Sequence, residues 1–274
     1  MDRRQFLAGT ASLAFGATAA RAQHVRHQHA PLPQAAPSSE PFTGLRTNAP
    51  HHITPDEQAQ RVVDSPAPKG SDGRWMTCAA LPLPRSEMAW ATGWAGRAHI
   101  VGGYGEGRVD RTYHHIYDPE KDVWFDGAPL PRGANHVAVA ADAGRVYALG
   151  GFIEQNRNPD HNAYAYDVAA NRWDKIAPLP RPRGAGAAVV LNGRIHLIGG
   201  ASEPTMERAR VGWHEVYDQK ADKWTMLKAL PGARDHVGCV AYNGIIHVIG
   251  GRFNTFEYNT ELHHVYLPER DTWE

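Results

Sequence analysis

Across 274 residues the chain balances 29 basic against 29 acidic side chains, so its formal charge is zero. That balance excludes bulk attraction to nucleic acid or to an anionic membrane surface. Two cysteines exclude a disulfide framework and the usual four-cysteine zinc sites, and 27 glycines with 20 prolines favour many short elements joined by tight turns.

Residues 1–22 read as a targeting segment. The pair Arg3-Arg4 precedes Phe6-Leu7, a mildly apolar stretch runs to Ala20, and Ala20-Arg21-Ala22 offers a small-x-small cleavage site. The pattern resembles a twin-arginine export signal, which implies a periplasmic or secreted protein. The apolar stretch is too short for a hydrocarbon core of about 30 Å, so no stable membrane insertion is expected. Residues 23–72 are rich in Pro, Ala, Gln, Ser and His and show almost no apolar periodicity. Such a segment cannot bury enough surface to offset its ordering entropy and reads as a disordered linker. His24, His27, His29, His51 and His52 lie within it without the spacing of a folded metal site.

Beyond the linker, residues 73–274 repeat. Trp recurs at 75, 124, 173, 224 and 273, and Gly-Gly at 102–103, 150–151, 199–200 and 250–251. Tyr-Asp at 117–118, 166–167 and 217–218, with Tyr266-Leu267 as the fourth copy, keeps the same register, as does Leu-Pro at 81–82, 130–131, 179–180 and 230–231. Within a unit, short apolar runs flank a turn written Ala95-Gly96-Arg97, Ala143-Gly144-Arg145, Asn192-Gly193-Arg194 or Asn243-Gly244-Ile245. Asn-Gly between apolar runs is a strong hairpin signal, because both central residues take positive φ. Each unit therefore reads as a four-stranded antiparallel meander. Runs such as Val146, Ala148, Leu149 and Ile195, Leu197, Ile198 make both faces of the sheet apolar, and radial stacking satisfies both faces.

Gly-Gly, Tyr-Asp, Trp and Leu-Pro in this order and spacing resemble the kelch motif over about 75–274. The resemblance implies an all-β, kelch-type β-propeller with four recognisable blades, at about 86–128, 134–177, 184–228 and 235–274. The segment 75–81 reads as an orphan outer strand, a donor for a last blade. Because blade 4 already reaches its own marker at Trp273, the expectation is an incomplete or open ring rather than a closed one. Trp124, Trp173, Trp224 and the tyrosines are assigned to packing. Gly102 to Gly107 is not a phosphate loop, since no helix pattern follows.

Kelch relatives bind ligands on the face where inter-blade loops and second-to-third-strand loops emerge. On the inter-blade loops stand Arg85, Arg132, Arg183 and Arg234, with Arg108, Arg111, Arg157, Arg208, Arg210 and Arg252 on the others. Guanidiniums suit carboxylates through bidentate pairing; an arginine after Leu-Pro also serves to fasten adjacent blades. Counting back from Gly-Gly aligns Met88, His136, Ala185 and His236, then Trp90, Ala138, Ala187 and Gly238 on the same strand face. Trp90 would then partly fill the channel. His136 and His236 would point inward, suited to a metal, an anion or, most simply, a loop carbonyl. His99, His196 and His247, with Tyr147 in the other copy, occupy a packing slot. Cys78 and Cys239 are expected to be free and buried.

No catalytic residue, metal or cofactor is assigned. The expected function is recognition of a protein segment or an acidic ligand through the arginine-bearing face. Two enzymes are alternatives. One is a sialic-acid-type mutarotase or epimerase using Glu87, Glu154 or His236, and the other a copper oxidase resembling galactose oxidase, for which no complete ligand set is found.

Overall fold

The computed structural model describes residues 76–204, 209–253 and 259–274. The signal and linker expectations lie outside these residues. No helix among the described residues is long and apolar enough to cross a membrane.

Four antiparallel meanders follow one another, each built from four consecutive strands. In blade 1 the strands are Ala89–Thr92, Ala98–Val101, His114–Asp118 and Val123–Asp126, innermost to outermost. Blade 2 uses Ala138–Asp142, Arg145–Leu149, Ala163–Asp167 and Arg172–Lys175. Blade 3 uses Ala187–Leu191, Arg194–Ile198, His214–Asp218 and Lys223–Met226. Blade 4 uses Gly238–Tyr242, Ile245–Ile249, His263–Leu267 and Thr272–Trp273.

The first hairpins of blades 2 to 4 turn on Ala143-Gly144, Asn192-Gly193 and Asn243-Gly244, every residue at positive φ, as a two-residue turn requires. Blade 1 differs. Its register pairs Thr92 with Ala98, whereas blade 2 pairs Ala141 with Val146, so blade 1 holds one extra residue in the turn around Gly93 to Gly96. That residue corrects the alignment of the innermost strand. Structurally, Ala89 rather than Trp90 matches Ala138, Ala187 and Gly238, because each of these pairs with the residue before Gly-Gly. Successive strand residues face opposite ways, so a slip of one residue moves Trp90 off the expected face. Trp90 does not fill a channel; it stands 69% exposed.

Blades stack through their apolar faces, and innermost strands pack in sequence from blade 1 to blade 4. Val101, Val139, Val146, Ala148 and Tyr166 join blades 1 and 2. Tyr147, Leu149 and Ala163 of blade 2 meet Ile195, Leu197 and Tyr217 of blade 3. Leu191 and Ile198 of blade 3 meet Ile246, Val248 and Tyr266 of blade 4. Each fully buried Val, Leu or Ile contributes about 1.5–3 kcal/mol. The matching face of blade 4 is open, with Val240 50%, Tyr242 62% and Ile249 48% exposed. The blades form an open arc, as the repeat pattern suggested.

One side-chain oxygen per blade fastens that blade to the connector before it. Asp122, Asn171, Asp222 and Asp271 each accept the hydroxyl of Tyr117, Tyr166, Tyr217 or Tyr266 at 2.7–2.8 Å. The same oxygens accept backbone N–H groups of Ala79, Ala128, Ala177 and Lys228. Carbonyls of these same four residues accept the indole N–H of Trp124, Trp173, Trp224 and Trp273. The Tyr-Asp and Trp landmarks are therefore parts of one fastening. Met76–Leu81, within the segment read as an orphan outer strand, joins no sheet; through Ala79 it occupies the place of a connector.

Both cysteines are free. Cys78 is exposed rather than buried, because this segment lies on a connector and not in a sheet. Burial pushes the Cys239 thiol up to about 12.

Candidate functional site

At the start of each innermost strand the chain adopts a left-handed residue: Glu87, His136, Ala185 and His236, with φ of 53°, 51°, 56° and 54°. These four are structural equivalents, since each follows the residue that bridges to the position after Gly-Gly. The bridges are Ser86 to Tyr104, Asn135 to Phe152, Gly184 to Ala201 and Asp235 to Arg252. Inter-blade connectors and second-to-third-strand loops therefore lie together on one face. Gly-Gly makes the approach possible: a Cβ on Gly151, at φ 103°, would sit 2.7 Å from the Asn135 carbonyl oxygen.

The four residues are also joined around the axis. His136 N–H donates to Glu87 O at 3.0 Å, Ala185 N–H to His136 O at 2.9 Å and His236 N–H to Ala185 O at 2.9 Å. Their side chains converge. His136 and His236 lie edge to face with ring centres 4.9 Å apart, across the gap left by Ala185. His136 Nε2 stands 3.1 Å from Glu87 Oε2, and the His136 side chain is only 6% exposed.

A second layer holds the imidazoles. His136 Nδ1 meets Asn135 Oδ1, and Asn135 Nδ2 donates to Asp110 Oδ1 at 2.6 Å. His236 Nδ1 meets Asp235 Oδ1, while Asp235 also accepts from Arg210 Nε at 2.8 Å and Arg252 Nε at 3.1 Å. Asn135 and Asp235 are both buried. Though burial opposes it, the cationic and hydrogen-bonding neighbours His236, Arg252 and Arg210 hold the Asp235 carboxyl below its ordinary value. The guanidinium end of Arg252 lies against the His236 ring.

Of the residues singled out from the sequence, His136 and His236 are brought together. The arginines are mostly placed elsewhere. Arg183 and Arg234 are buried at 1% and 0% exposure. Arg183 donates to Leu197 O at 3.1 Å and to Glu215, and Arg234 to Gly250 O at 2.7 Å and to His264. Arg85 follows the same pattern, against Ile100 O and His115. Arg132 is exposed and out of that register, because Ala134 occupies the corresponding slot in blade 2. Arg181, its counterpart in blade 3, shares Glu215 with Arg183 and stacks 4.4 Å from the Trp213 ring centre. Glu154 is bonded to Asn158. Counting back from Gly-Gly put Met88 where Glu87 belongs. Counting forward two residues from Arg85, as from Arg183 to Ala185 and Arg234 to His236, is the signal that finds it.

The repeated histidines form pairs. His99 Nδ1 lies 2.9 Å from His114 Nε2, His196 Nδ1 2.8 Å from His214 Nε2 and His247 Nδ1 2.9 Å from His263 Nε2. His114 and His214 Nδ1 donate to the carbonyls of Ala128 and Lys228, so their Nε2 atoms accept. Burial lowers His99 and His196 to about 4, and His114 and His214 to about 3. All four are neutral near pH 7.

Residues 134–180 match the kelch motif. Kelch-like protein 24 of Rattus norvegicus is 39% identical over 202 residues, which span 73% of this chain and 31% of that protein; the Mus musculus protein matches equally. Kelch-like protein terF of Aspergillus terreus is 29% identical over 197 residues, 66% of this chain and 43% of that protein. The chain thus spans about a third of the length of Kelch-like protein 24. Among solved structures YjhT superposes with a TM-score of 0.61 at 15% identity, covering 72% of this chain and 70% of that one. Repeat landmarks, blade topology and these likenesses agree on a kelch-repeat β-propeller architecture with four four-stranded blades.

Proposed function

We propose that the protein is a binding module that receives an acidic protein segment on the loop face around the axis. The observation that carries this reading is the arginine excess at the connector into blade 3. Glu215 is one carboxylate shared by Arg181 and Arg183, so the pair keeps one positive charge more than its partner cancels. Arg181 is 31% exposed, with its guanidinium over the Trp213 ring and its Nε and Nη2 on Glu215, so Nη1 is the nitrogen that can meet an incoming carboxylate. Exposed Arg132 and Arg157 stand on loops that emerge on the same side. Kelch repeats in the relatives support a role in protein interaction.

Matched acidic, neutral and basic peptides titrated into the protein, followed by tryptophan fluorescence, test the reading. Acidic peptides are expected to bind, with affinity falling as salt rises. Arg132→Glu with Arg157→Glu, both at exposed positions, is expected to weaken them by about tenfold or more. A preference for basic peptides, or an acidic preference that both charge reversals leave intact, would overturn it.

We further propose that the module acts outside the cytoplasm, on the strength of Arg3-Arg4 and the cleavage pattern at Ala20-Arg21-Ala22. Expressed in a bacterium, the protein should reach the periplasm shortened by 22 residues, and Arg3→Lys with Arg4→Lys should retain it inside. A full-length cytoplasmic product from the unaltered sequence would exclude export.

A further inference from the structure

We propose that Glu87, His136 and His236 form a binding site for one divalent first-row transition metal ion of the Zn2+ or Co2+ type. One ligand atom from each residue lies within 4.8 Å of the other two. Two imidazoles and a carboxylate suit such ions and leave coordination positions open to a ligand in the mouth. The inference is independent of what the loop face recognises, because it concerns the ion alone.

Hydrogen-bond direction carries it. Asn135 Nδ2 donates to Asp110, which assigns Asn135 Oδ1 to the side facing His136. An amide oxygen only accepts, so the hydrogen sits on His136 Nδ1. In the neutral ring Nε2 then directs its lone pair at Glu87 Oε2, 3.1 Å away. A ring lone pair and a carboxylate oxygen this close are held together by a cation between them, a proton or a metal, and the Glu87 side chain, 38% exposed, leaves a way in. His236 Nδ1 likewise lies against buried Asp235, with Arg252 Nη2 against both ring nitrogens. Fixing Nδ1 through a carboxylate or amide and leaving Nε2 for the ion is how ligating histidines are oriented.

Backbone geometry adds a second argument. All four axial residues share a left-handed conformation and linked N–H groups, so the side chains leave one ring of backbone at equivalent points. Blade 3 places Ala185 there, whose methyl group lets the two imidazoles come together edge to face. Arg252 is the group that must yield, since its guanidinium end lies on the His236 ring. Its Nε donates to Asp235 from the same rigid guanidinium plane, so the whole group must swing aside, leaving Asp235 to Arg210 and His236.

The test uses the full chain, stripped with a chelator and titrated with Co2+ by visible absorption and with Zn2+ by calorimetry. One ion per chain is expected at the axis. His136→Ala and His236→Ala reproduce the residue found in blade 3, and each is expected to lower affinity by at least about tenfold with the metal-free melting temperature little changed. Glu87→Gln should shift the Co2+ spectrum. Because His24, His27, His29, His51 and His52 could capture metal on their own, the titration is repeated with these five replaced by alanine. Binding that survives this replacement and disappears in the axial variants supports the site. No stoichiometric binding, or binding lost with the five histidines and kept in His136→Ala/His236→Ala, overturns it and leaves the proton as the shared cation.

Discussion

Between pH 7 and pH 5.5 the protein is expected to lose roughly 5 kcal/mol of stability and to approach unfolding near pH 5. The source is the two fully enclosed histidine pairs, His99 with His114 and His196 with His214. In the folded chain they resist protonation until about pH 4 and 3, whereas an unfolded histidine titrates near 6.5. Above that unfolded value both states are neutral and no penalty exists. Below it the unfolded chain takes up protons that the folded chain refuses, so stability falls with pH. Each histidine withdraws about 1.4 kcal/mol per pH unit, until the folded values are reached. Burial is the main cause. A second is geometric: with His114 Nδ1 and His214 Nδ1 committed to carbonyls, a proton on Nε2 would face the N–H of its partner. Blade 2 supplies the control, because Tyr147 and Ala163 fill the slots of His196 and His214. His196→Tyr with His214→Ala should move the acid midpoint, read by circular dichroism, to lower pH. An unmoved midpoint would exclude the pairs as its cause.

Glu215→Ala is expected to cost about 3–5 kcal/mol, a fall of roughly 10 °C in melting temperature. Glu215 is wholly buried and is the carboxylate partner of Arg183, itself 1% exposed. Removing it strands a guanidinium that burial already biases toward losing its charge. The Leu197 carbonyl cannot neutralise that charge, although it keeps one hydrogen bond. Replacing both partners, Arg183→Leu with Glu215→Leu, should restore much of the loss, since the penalty belongs to the orphaned charge rather than to the missing pair. Equal losses in the single and double variants would show that shape, not charge, sets the cost.

Much of the fold was legible because its landmarks are chemically redundant. Tyr, Asp or Asn, and Trp recur together since a single oxygen and a single peptide group bind all three, so the spacing cannot drift between copies. The axial site was only half legible. His136 and His236 were found, but Glu87 was hidden by one additional residue in the blade 1 turn, a length change that counting from Gly-Gly cannot detect. The role of the arginines was illegible for another reason. Whether Arg183, on a connector, faces solvent depends on Glu215, which lies 32 positions away on the third strand of blade 3. His115 and His264 play the same part for Arg85 and Arg234.

The open arc has a thermodynamic consequence. Every blade is assembled from consecutive strands and its sheet packs chiefly on the preceding and following ones, so apart from the axial contacts the energy behaves as a linear chain of nearest-neighbour terms. The two inner sheets are clamped from both sides. The two outer ones, where Trp90 and Tyr242 meet water, have a single neighbour each and are the first to fray. Glu87 and His236 lead into those outer sheets, so whatever bridges them across the axis would convert a string of modules into a cooperative whole.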